Sequence, residues 1–199
     1  MNKKIYKLKK YSKRKIFKGS FSKLANLFCL ATPEYCSLFK SLKGNTIKFV
    51  KSIANKPGTE LENFITLEEK NKIVGLCSIY FSSEIQNRQL KTNLIMRNLI
   101  HKKKRSIFIK KIQKNINSLP LIKKKTLYLS RYSILQKYQG KGYGDLFLKK
   151  ILDDLKKFKS ISLHLNSKNK RAKEFYNKIN FKKVNKKNNY ILYEKKLTL

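Results

Sequence analysis

Three of the seven glycines of this 199-residue chain lie within five residues, at positions 140, 142 and 144. They belong to the segment Gln139-Gly140-Lys141-Gly142-Tyr143-Gly144. Clustered glycines let a backbone approach a ligand closely and leave free N–H groups pointing at it. The segment lies between a predicted strand and a predicted helix, and free N–H groups at a helix N-terminus bind phosphate. A tight turn alone would need one or two of these glycines, so the cluster favours a phosphate-bearing ligand.

The spacing of these glycines excludes two common nucleotide-binding loops. A Walker A loop has Ser or Thr after its Gly-Lys pair, whereas Lys141 is followed by Gly142. The dinucleotide fingerprint is G-x-G-x-x-G, whereas this segment has the spacing G-x-G-x-G. The pattern that fits is Q/R-x-x-G-x-G/A, with Gln139, Gly142 and Gly144 at its fixed positions.

A second motif follows in the order N-x-x-A-x-x-F-Y…F. Its residues are Asn169, Ala172, Phe175, Tyr176 and Phe181. With both motifs in order, the sequence resembles the GNAT superfamily of acyl-CoA N-acyltransferases, without a gap across residues 127–181. This resemblance implies a mixed α/β fold, with a mostly antiparallel central sheet, one splayed parallel strand pair and helices on both faces.

The resemblance also implies that acetyl-CoA binds as the acyl donor between strands 127–134 and 161–166, and it implies no metal. Backbone amides of residues 139–144 would hold the pyrophosphate, and backbone groups of residues 132–134 would pair with the pantetheine arm. The N–H of Ile134 would polarise the thioester carbonyl, as an oxyanion donor does. Asn169 would bond to the cofactor or cap the following helix. The cofactor-binding residues expected on this basis are Tyr132, Ser133, Ile134, Gln139, Gly140, Lys141, Gly142, Tyr143, Gly144 and Asn169.

Two residues are candidates for proton transfer. Tyr176 matches the family's general acid, which protonates the departing thiolate, although its place on the apolar face of a helix also suits a core tyrosine. His164 is a candidate base, because an imidazole pKa of about 6.5 suits proton removal near neutrality. A structural role for His164 stays open, as do Glu68, Glu69 or a water chain as the base.

Periodicity predicts the elements that must position these residues. Strands are predicted over residues 5–10, 63–68, 72–81, 127–134, 161–165, 181–184 and 190–197. Helices are predicted over residues 20–31, 34–42, 45–55, 142–159 and 169–179. Residues 69–71 are a predicted hairpin turn, and residues 83–118 form a basic, helical insertion. The whole chain, residues 1–199, is predicted to be one domain.

The charge of the chain is strongly positive, with 49 basic and 11 acidic residues and a net charge of +38. Such a charge suits nucleic-acid binding, for which residues 102–105 would be a candidate patch. However, only six of the basic residues are arginines, and the lysines are spread along the chain. We therefore favour coding bias, and keep a nucleic-acid-binding protein and a catalytically silent acyl-CoA-binding module as alternatives.

The acceptor is expected to be an amine, either a small molecule, an aminoglycoside, or a protein N-terminus or lysine. A basic enzyme does not by itself attract a cation, which slightly favours an acidic or neutral acceptor. The residues do not predict an oligomeric state.

The three cysteines are odd in number and irregularly spaced, which argues against a disulfide framework and a structural zinc site. No apolar stretch is long enough to span a membrane, and the basic N-terminus lacks the apolar part of a signal peptide. The expected setting is the reducing cytoplasm, without a membrane partner.

Overall fold

A mixed sheet forms the centre of the protein. The computed structural model describes residues 7–10, 20–122 and 125–197, and within them seven strands pair in the order β1-β2-β3-β4-β5-β7-β6. The strands are β1 (Lys7–Lys10), β2 (Phe64–Glu69), β3 (Lys72–Phe81), β4 (Leu127–Ile134), β5 (Ser160–Asn166), β6 (Lys182–Lys187) and β7 (Tyr190–Lys196). Every neighbouring pair is antiparallel except β4 and β5, which confirms the predicted sheet. Residues 5 and 6 of the predicted first strand lie outside the described residues.

Helices cover both faces of this sheet, as predicted. They are α1 (Ser20–Ala31), α2 (Pro33–Ser41), α3 (Thr46–Ile53), α4 (Ile85–Asn98), α5 (Arg105–Asn117), α6 (Tyr143–Asp154) and α7 (Lys170–Lys178). Helices α1 to α5 bury one hydrophobic cluster, and α6 and α7 bury a second. Adjacent residues of β3, Leu76 and Cys77, belong to different clusters, because successive side chains of a strand point to opposite faces.

The parallel strands β4 and β5 touch only at their beginnings. Leu127 is opposite Ile161 and Tyr128 is opposite Ser162, and no later pair follows in these two strands. The remainder of each strand diverges from the other and leaves a gap in the sheet. This splay is the geometry that the sequence resemblance implies.

A β-bulge at Ser130 shifts the alternation of side chains between the two faces of β4 for the residues that follow it. Ser78 of β3 is opposite Arg131 and Ile79 is opposite Leu129, so Ser130 is the extra residue. Tyr128 and Arg131 consequently share the face covered by α1 and α2.

Most predicted elements occur close to their expected bounds. The hairpin turn has Lys70 and Asn71 at positive φ, as a two-residue turn of type I′ requires. The predicted helix 142–159 is shorter than expected and ends at Asp154. Successive turn bonds, from the Leu155 N–H to Leu152 and from the Phe158 N–H to Leu155, redirect the chain towards β5.

The expectation that the cysteines form no disulfide is wrong. The sulfurs of Cys29 and Cys36 are bonded, which joins the end of α1 to α2, and their Cα atoms are 5.3 Å apart. Pro33 begins α2 and breaks the preceding helix, so the chain bends between the two cysteines. A count of cysteines does not reveal this bend. Cys77 is free and buried on β3.

Candidate functional site

A cleft of about 470 Å³ lies where β4 and β5 diverge, and we call it the loop cleft. Its walls are the end of β4, the glycine-rich segment and α7. It is lined by Leu30, Tyr132, Ser133, Ile134, Gln139, Gly140, Gly142, Gly144, Asp145, Asn169, Arg171, Ala172, Phe175, Tyr176 and Lys178. The structure thus brings together every predicted cofactor-binding residue except Lys141, which is exposed, and Tyr143, whose hydroxyl donates to Glu69.

The glycines of the segment have two different roles. Gly140 and Gly142 have φ of +76° and +77°, and a Cβ added to either would meet no atom within 4 Å. They therefore give a left-handed backbone with open space beside it, immediately before α6 begins at Tyr143. A Cβ on Gly144 would instead lie 3.3 Å from the Phe175 ring, so this glycine permits close packing of α6 against α7.

Gln139 connects the glycine segment to both neighbouring elements. Its Nε2 donates to the Ile134 carbonyl at 2.7 Å, and its Oε1 accepts from Arg171 Nη1 at 2.7 Å. The bond from Arg171 places a guanidinium at the cleft, beside the amides of the α6 N-terminus. The sequence analysis did not select Arg171, although it is one of only six arginines in the chain.

The backbone of β4 presents alternate residues to the gap. The Leu135 N–H donates to the Val74 carbonyl on β3. Backbone N–H and C=O groups of successive residues in a strand point to opposite sides, so those of Ile134 and Tyr132 point away from β3. The side away from β3 is the gap towards β5. The side chains nearby are already engaged, since the Tyr132 hydroxyl donates to Gly144 and the Ser133 hydroxyl donates to Leu27.

Tyr176 lies at the wall of the loop cleft and is 7 % exposed. Its ring packs edge-on against Phe175 and Phe181. Burial, with a smaller contribution from Cys77, raises the pKa of the Tyr176 hydroxyl well above its usual value. The phenol therefore keeps its proton throughout the neutral range, as a proton donor must.

A second cavity of about 400 Å³ lies between the helices α2, α4 and α5 and the strands β4, β5 and β7. We call it the tyrosine cavity, after Tyr35, Tyr128 and Tyr190 in its wall. His164 lines this cavity and not the loop cleft, so the structure places the two predicted catalytic residues in different cavities. Asn169 lines both, and its Oδ1 also accepts from the Ala172 N–H, which makes it the cap of α7.

The hydrogen bonds of His164 fix its tautomer. Its Nε2 lies 2.7 Å from the carbonyl oxygen of Pro120, which can only accept, so Nε2 carries the hydrogen. Its Nδ1 is then unprotonated and accepts from the Tyr128 hydroxyl at 3.1 Å. Burial lowers the pKa of His164, despite an opposing effect of the Pro120 carbonyl, and burial raises that of Tyr128. Both groups are therefore neutral near pH 7.

The floor of the tyrosine cavity contains a buried ion pair. Arg131 Nη2 lies 2.8 Å from Glu60 Oε2, and the two side chains are 8 % and 2 % exposed. Ser130 and Tyr80 donate to the other carboxylate oxygen of Glu60. Glu68 and Glu69, the other candidate bases, line neither cavity.

Residues 7–10, 20–122 and 125–197 contain neither a cluster of metal ligands nor a membrane-spanning helix. Within those ranges, no group of three or more His, Cys, Asp and Glu side chains could hold a metal ion. Across the same part of the chain, no helix is both long and apolar enough to cross a membrane.

Comparison with known proteins adds a family and a fold. The model of the acetyltransferase (GNAT) family matches residues 38–181. A search of curated proteins finds no match. Solved structures do match.

The first solved structure is a protein from Pyrococcus horikoshii OT3, with 20% identity and a TM-score of 0.57, covering 97% of this chain and 100% of that one. The second is PaiA N-acetyltransferase from Thermoplasma acidophilum in complex with coenzyme A, with 14% identity and a TM-score of 0.56, covering 96% and 99%. The third is a GNAT family acetyltransferase from Elizabethkingia anophelis with acetyl-CoA bound, with 12% identity and a TM-score of 0.52, covering 96% and 98%. At these identities the likeness is one of fold.

Proposed function

Because this chain belongs to the GNAT acetyltransferase family, we propose that it transfers the acetyl group of acetyl-CoA to a primary amine. The amine attacks directly in a ternary complex. The observation that carries the proposal is the position of two cavities at the β4–β5 splay, with Asn169 lining both. One cavity has the phosphate-binding segment, and the other has neutral groups that can receive a proton from an amine.

The proposed donor site is the loop cleft. Amides of residues 139–144 hold the pyrophosphate, and Arg171 adds a positive charge beside them. Backbone groups of Tyr132 and Ile134 pair with the pantetheine arm across the gap. The open space beside Gly140 and Gly142 supports this fit, because a phosphate can approach the backbone there without meeting a side chain.

The proposed reaction forms a C–N bond and breaks the C–S bond of the thioester. The Ile134 N–H stabilises the oxyanion of the tetrahedral intermediate. Tyr176 donates its proton to the departing thiolate. The thiolate needs only modest help, because a thiol pKa of about 8.5 already makes it a good leaving group.

The proposed route for the amine proton runs through Tyr128 to His164. The Tyr128 oxygen accepts a proton from the attacking nitrogen while its own proton passes to His164 Nδ1, across the 3.1 Å bond. The resulting imidazolium keeps its Nε2–H bond to Pro120. His164 thus acts as the base through Tyr128, which ends the step as a neutral phenol, and the imidazolium then loses its Nδ1 proton to solvent.

The test combines acetyl-CoA binding with turnover. We expect acetyl-CoA to raise the melting temperature and thiol release to depend on an added primary amine. Absence of stabilisation by CoA would contradict the proposal at its centre. Stabilisation without thiol release from any amine in a broad panel would identify a silent acyl-CoA-binding module instead.

A further inference from the structure

The mouth of the tyrosine cavity carries a carboxylate that the proposed chemistry does not use. Glu34 lies in the first turn of α2 and lines this cavity. Its Oε2 accepts from the Tyr190 hydroxyl at 2.7 Å, and its Oε1 accepts from the Asn166 amide. These two bonds hold the carboxylate across the mouth, between α2 on one side and β5 and β7 on the other.

The partners of Glu34 are neutral, so they orient the carboxylate without cancelling its charge. Among the residues that the structure describes, no Lys or Arg lies within ion-pair distance of it. Burial and the bond to Glu34 raise the pKa of Tyr190, which therefore stays a neutral donor. The buried carboxylate of Glu60 differs, because it forms an ion pair with Arg131, which lines the cavity.

Aromatic rings flank this carboxylate. Tyr35 follows Glu34 on α2, and Tyr190 lies opposite on β7. Burial and the nearby Glu60 charge raise the pKa of Tyr35 to about 12, so its ring is also neutral. A carboxylate flanked by neutral aromatic rings attracts an ammonium group, through charge and through the face of the rings.

The other charged groups around the cavity do not reverse this preference. Arg131 and Glu60 form a neutral pair at the floor, and His164 is uncharged near pH 7. Lys168 lies at the rim, where it is exposed and strongly hydrated. The carboxylate at the mouth is thus the oriented charge that an acceptor meets.

We propose, building on the function proposed above, that the acceptor is a diamine, whose second ammonium group binds Glu34 at the mouth of the tyrosine cavity. The first amine reaches the thioester through the β4–β5 splay. The net charge of +38 argued for an acidic or neutral acceptor at the level of sequence. Charges beyond a screening length of about 8 Å act weakly at physiological salt, so a direct contact with Glu34 outweighs remote lysines.

The experiment compares 1,4-diaminobutane with 1-aminobutane as acceptors. We expect the wild-type protein to prefer the diamine in kcat/KM, and the variant Glu34→Gln to lower the ratio of diamine to monoamine about fivefold. The decrease in this ratio should come from a higher KM for the diamine. The matched control is Glu174→Gln, which makes the same replacement of carboxylate by carboxamide at an exposed position of α7 outside both cavities. This variant should leave the diamine-to-monoamine ratio of kcat/KM unchanged.

A calorimetric titration separates this proposal from the proposed function. Diaminobutane is titrated into the protein with bound CoA, where binding needs no turnover. Weaker diamine binding in Glu34→Gln than in wild type would support the proposal even if no amine were acetylated. Equal diamine binding in both proteins, or an unchanged diamine-to-monoamine ratio, would overturn it.

Discussion

At the residue scale, burial favours the neutral forms of the three side chains in the proposed proton transfers. Tyr176, Tyr128 and His164 are each shifted by burial towards their uncharged forms. An uncharged phenol can donate a proton and an uncharged imidazole can accept one, so the same physical effect prepares both steps of the proposed transfer.

Tyr176→Phe tests the proposed general acid. We expect kcat to fall about tenfold, which is less than the usual effect of losing a proton donor, because the thiolate leaves readily. The KM for acetyl-CoA should change little, since the ring and its packing on Phe175 and Phe181 remain. Steady-state kinetics measure both constants, and an unchanged kcat would assign Tyr176 to the core alone.

His164→Gln tests the lowered pKa of the buried imidazole. Below about pH 6.5 the unfolded chain binds a proton at this histidine, whereas the folded protein does not, so folding stability falls as the pH decreases. We therefore expect wild type to lose more unfolding free energy than the variant between pH 7.5 and pH 5.5. Urea denaturation at both pH values measures this, and carboxylate effects cancel in the comparison. Equal losses would mean that the pKa of this imidazole is the same in the folded and the unfolded chain.

At the element scale, short contacts between neighbouring elements set the geometry of the site. The bulge at Ser130 turns Tyr128 and Arg131 towards α2, and the left-handed glycines expose the amides before α6. The disulfide encloses residues 30–35, which supply Leu30 to the loop cleft and Glu34 to the tyrosine cavity. Each of these features is local, and each places groups in the wall of at least one of the two cavities.

Gly142→Ala tests the left-handed backbone of the loop. An alanine at φ +77° costs roughly 1–2 kcal/mol, although there is open space for its methyl group. We expect acetyl-CoA affinity to fall, because relaxation of the loop moves the amides. The control Gly58→Ala, at φ +72° and outside both cavities, should lower stability without changing the affinity measured by calorimetry. A similar affinity loss in both variants would refute a specific role of the loop.

Cys36→Ser tests the disulfide between α1 and α2. Closing so short a loop stabilises the folded chain by about 2 kcal/mol in the chain-entropy model. We expect the variant to unfold at lower denaturant, and reductant to lower the stability of wild type but not of the variant. A wild-type protein insensitive to reductant would show that the two thiols are not bonded in solution. A cytoplasmic setting stays a prediction, and a stable disulfide would argue against it.

At the scale of the whole molecule, the net charge of +38 attracts anions without specificity, whereas the proposed site would bind its ligands through groups in fixed positions. Lysines spread over the surface attract any polyanion, CoA included, with a strength that falls with salt. The interpretation that most of this charge reflects coding bias stays a hypothesis. The pyrophosphate site proposed in the loop cleft would be more specific, because the bond to Gln139 orients Arg171 there.

A mobility-shift titration tests the nucleic-acid alternative. At physiological salt we expect only weak, non-saturating binding of duplex DNA and of RNA, because only six of the 49 basic residues are arginines and the lysines are spread along the chain. Acetyl-CoA should still stabilise the protein under the same conditions. Tight, saturable binding would contradict the coding-bias hypothesis and give residues 102–105 a role.

The sequence by itself determined the features that depend on neighbours along the chain. The glycine segment, the hairpin turn and the capped helix α7 each follow from residues a few positions apart, because local backbone conformation depends on local sequence. The two ordered motifs also indicated the family, and with it the splayed strands.

Only the tertiary structure decided which distant side chains meet. Tyr190 and Glu34 are 156 positions apart and Arg131 and Glu60 are 71 apart, yet both pairs are in contact. Strand order and register bring them together, and no periodic pattern in a single sequence encodes a pairing across the sheet. The sequence could therefore locate the residues that line the loop cleft, whereas the shape and charge of the tyrosine cavity are decided only by the packing of α2, α4 and α5 against β4, β5 and β7.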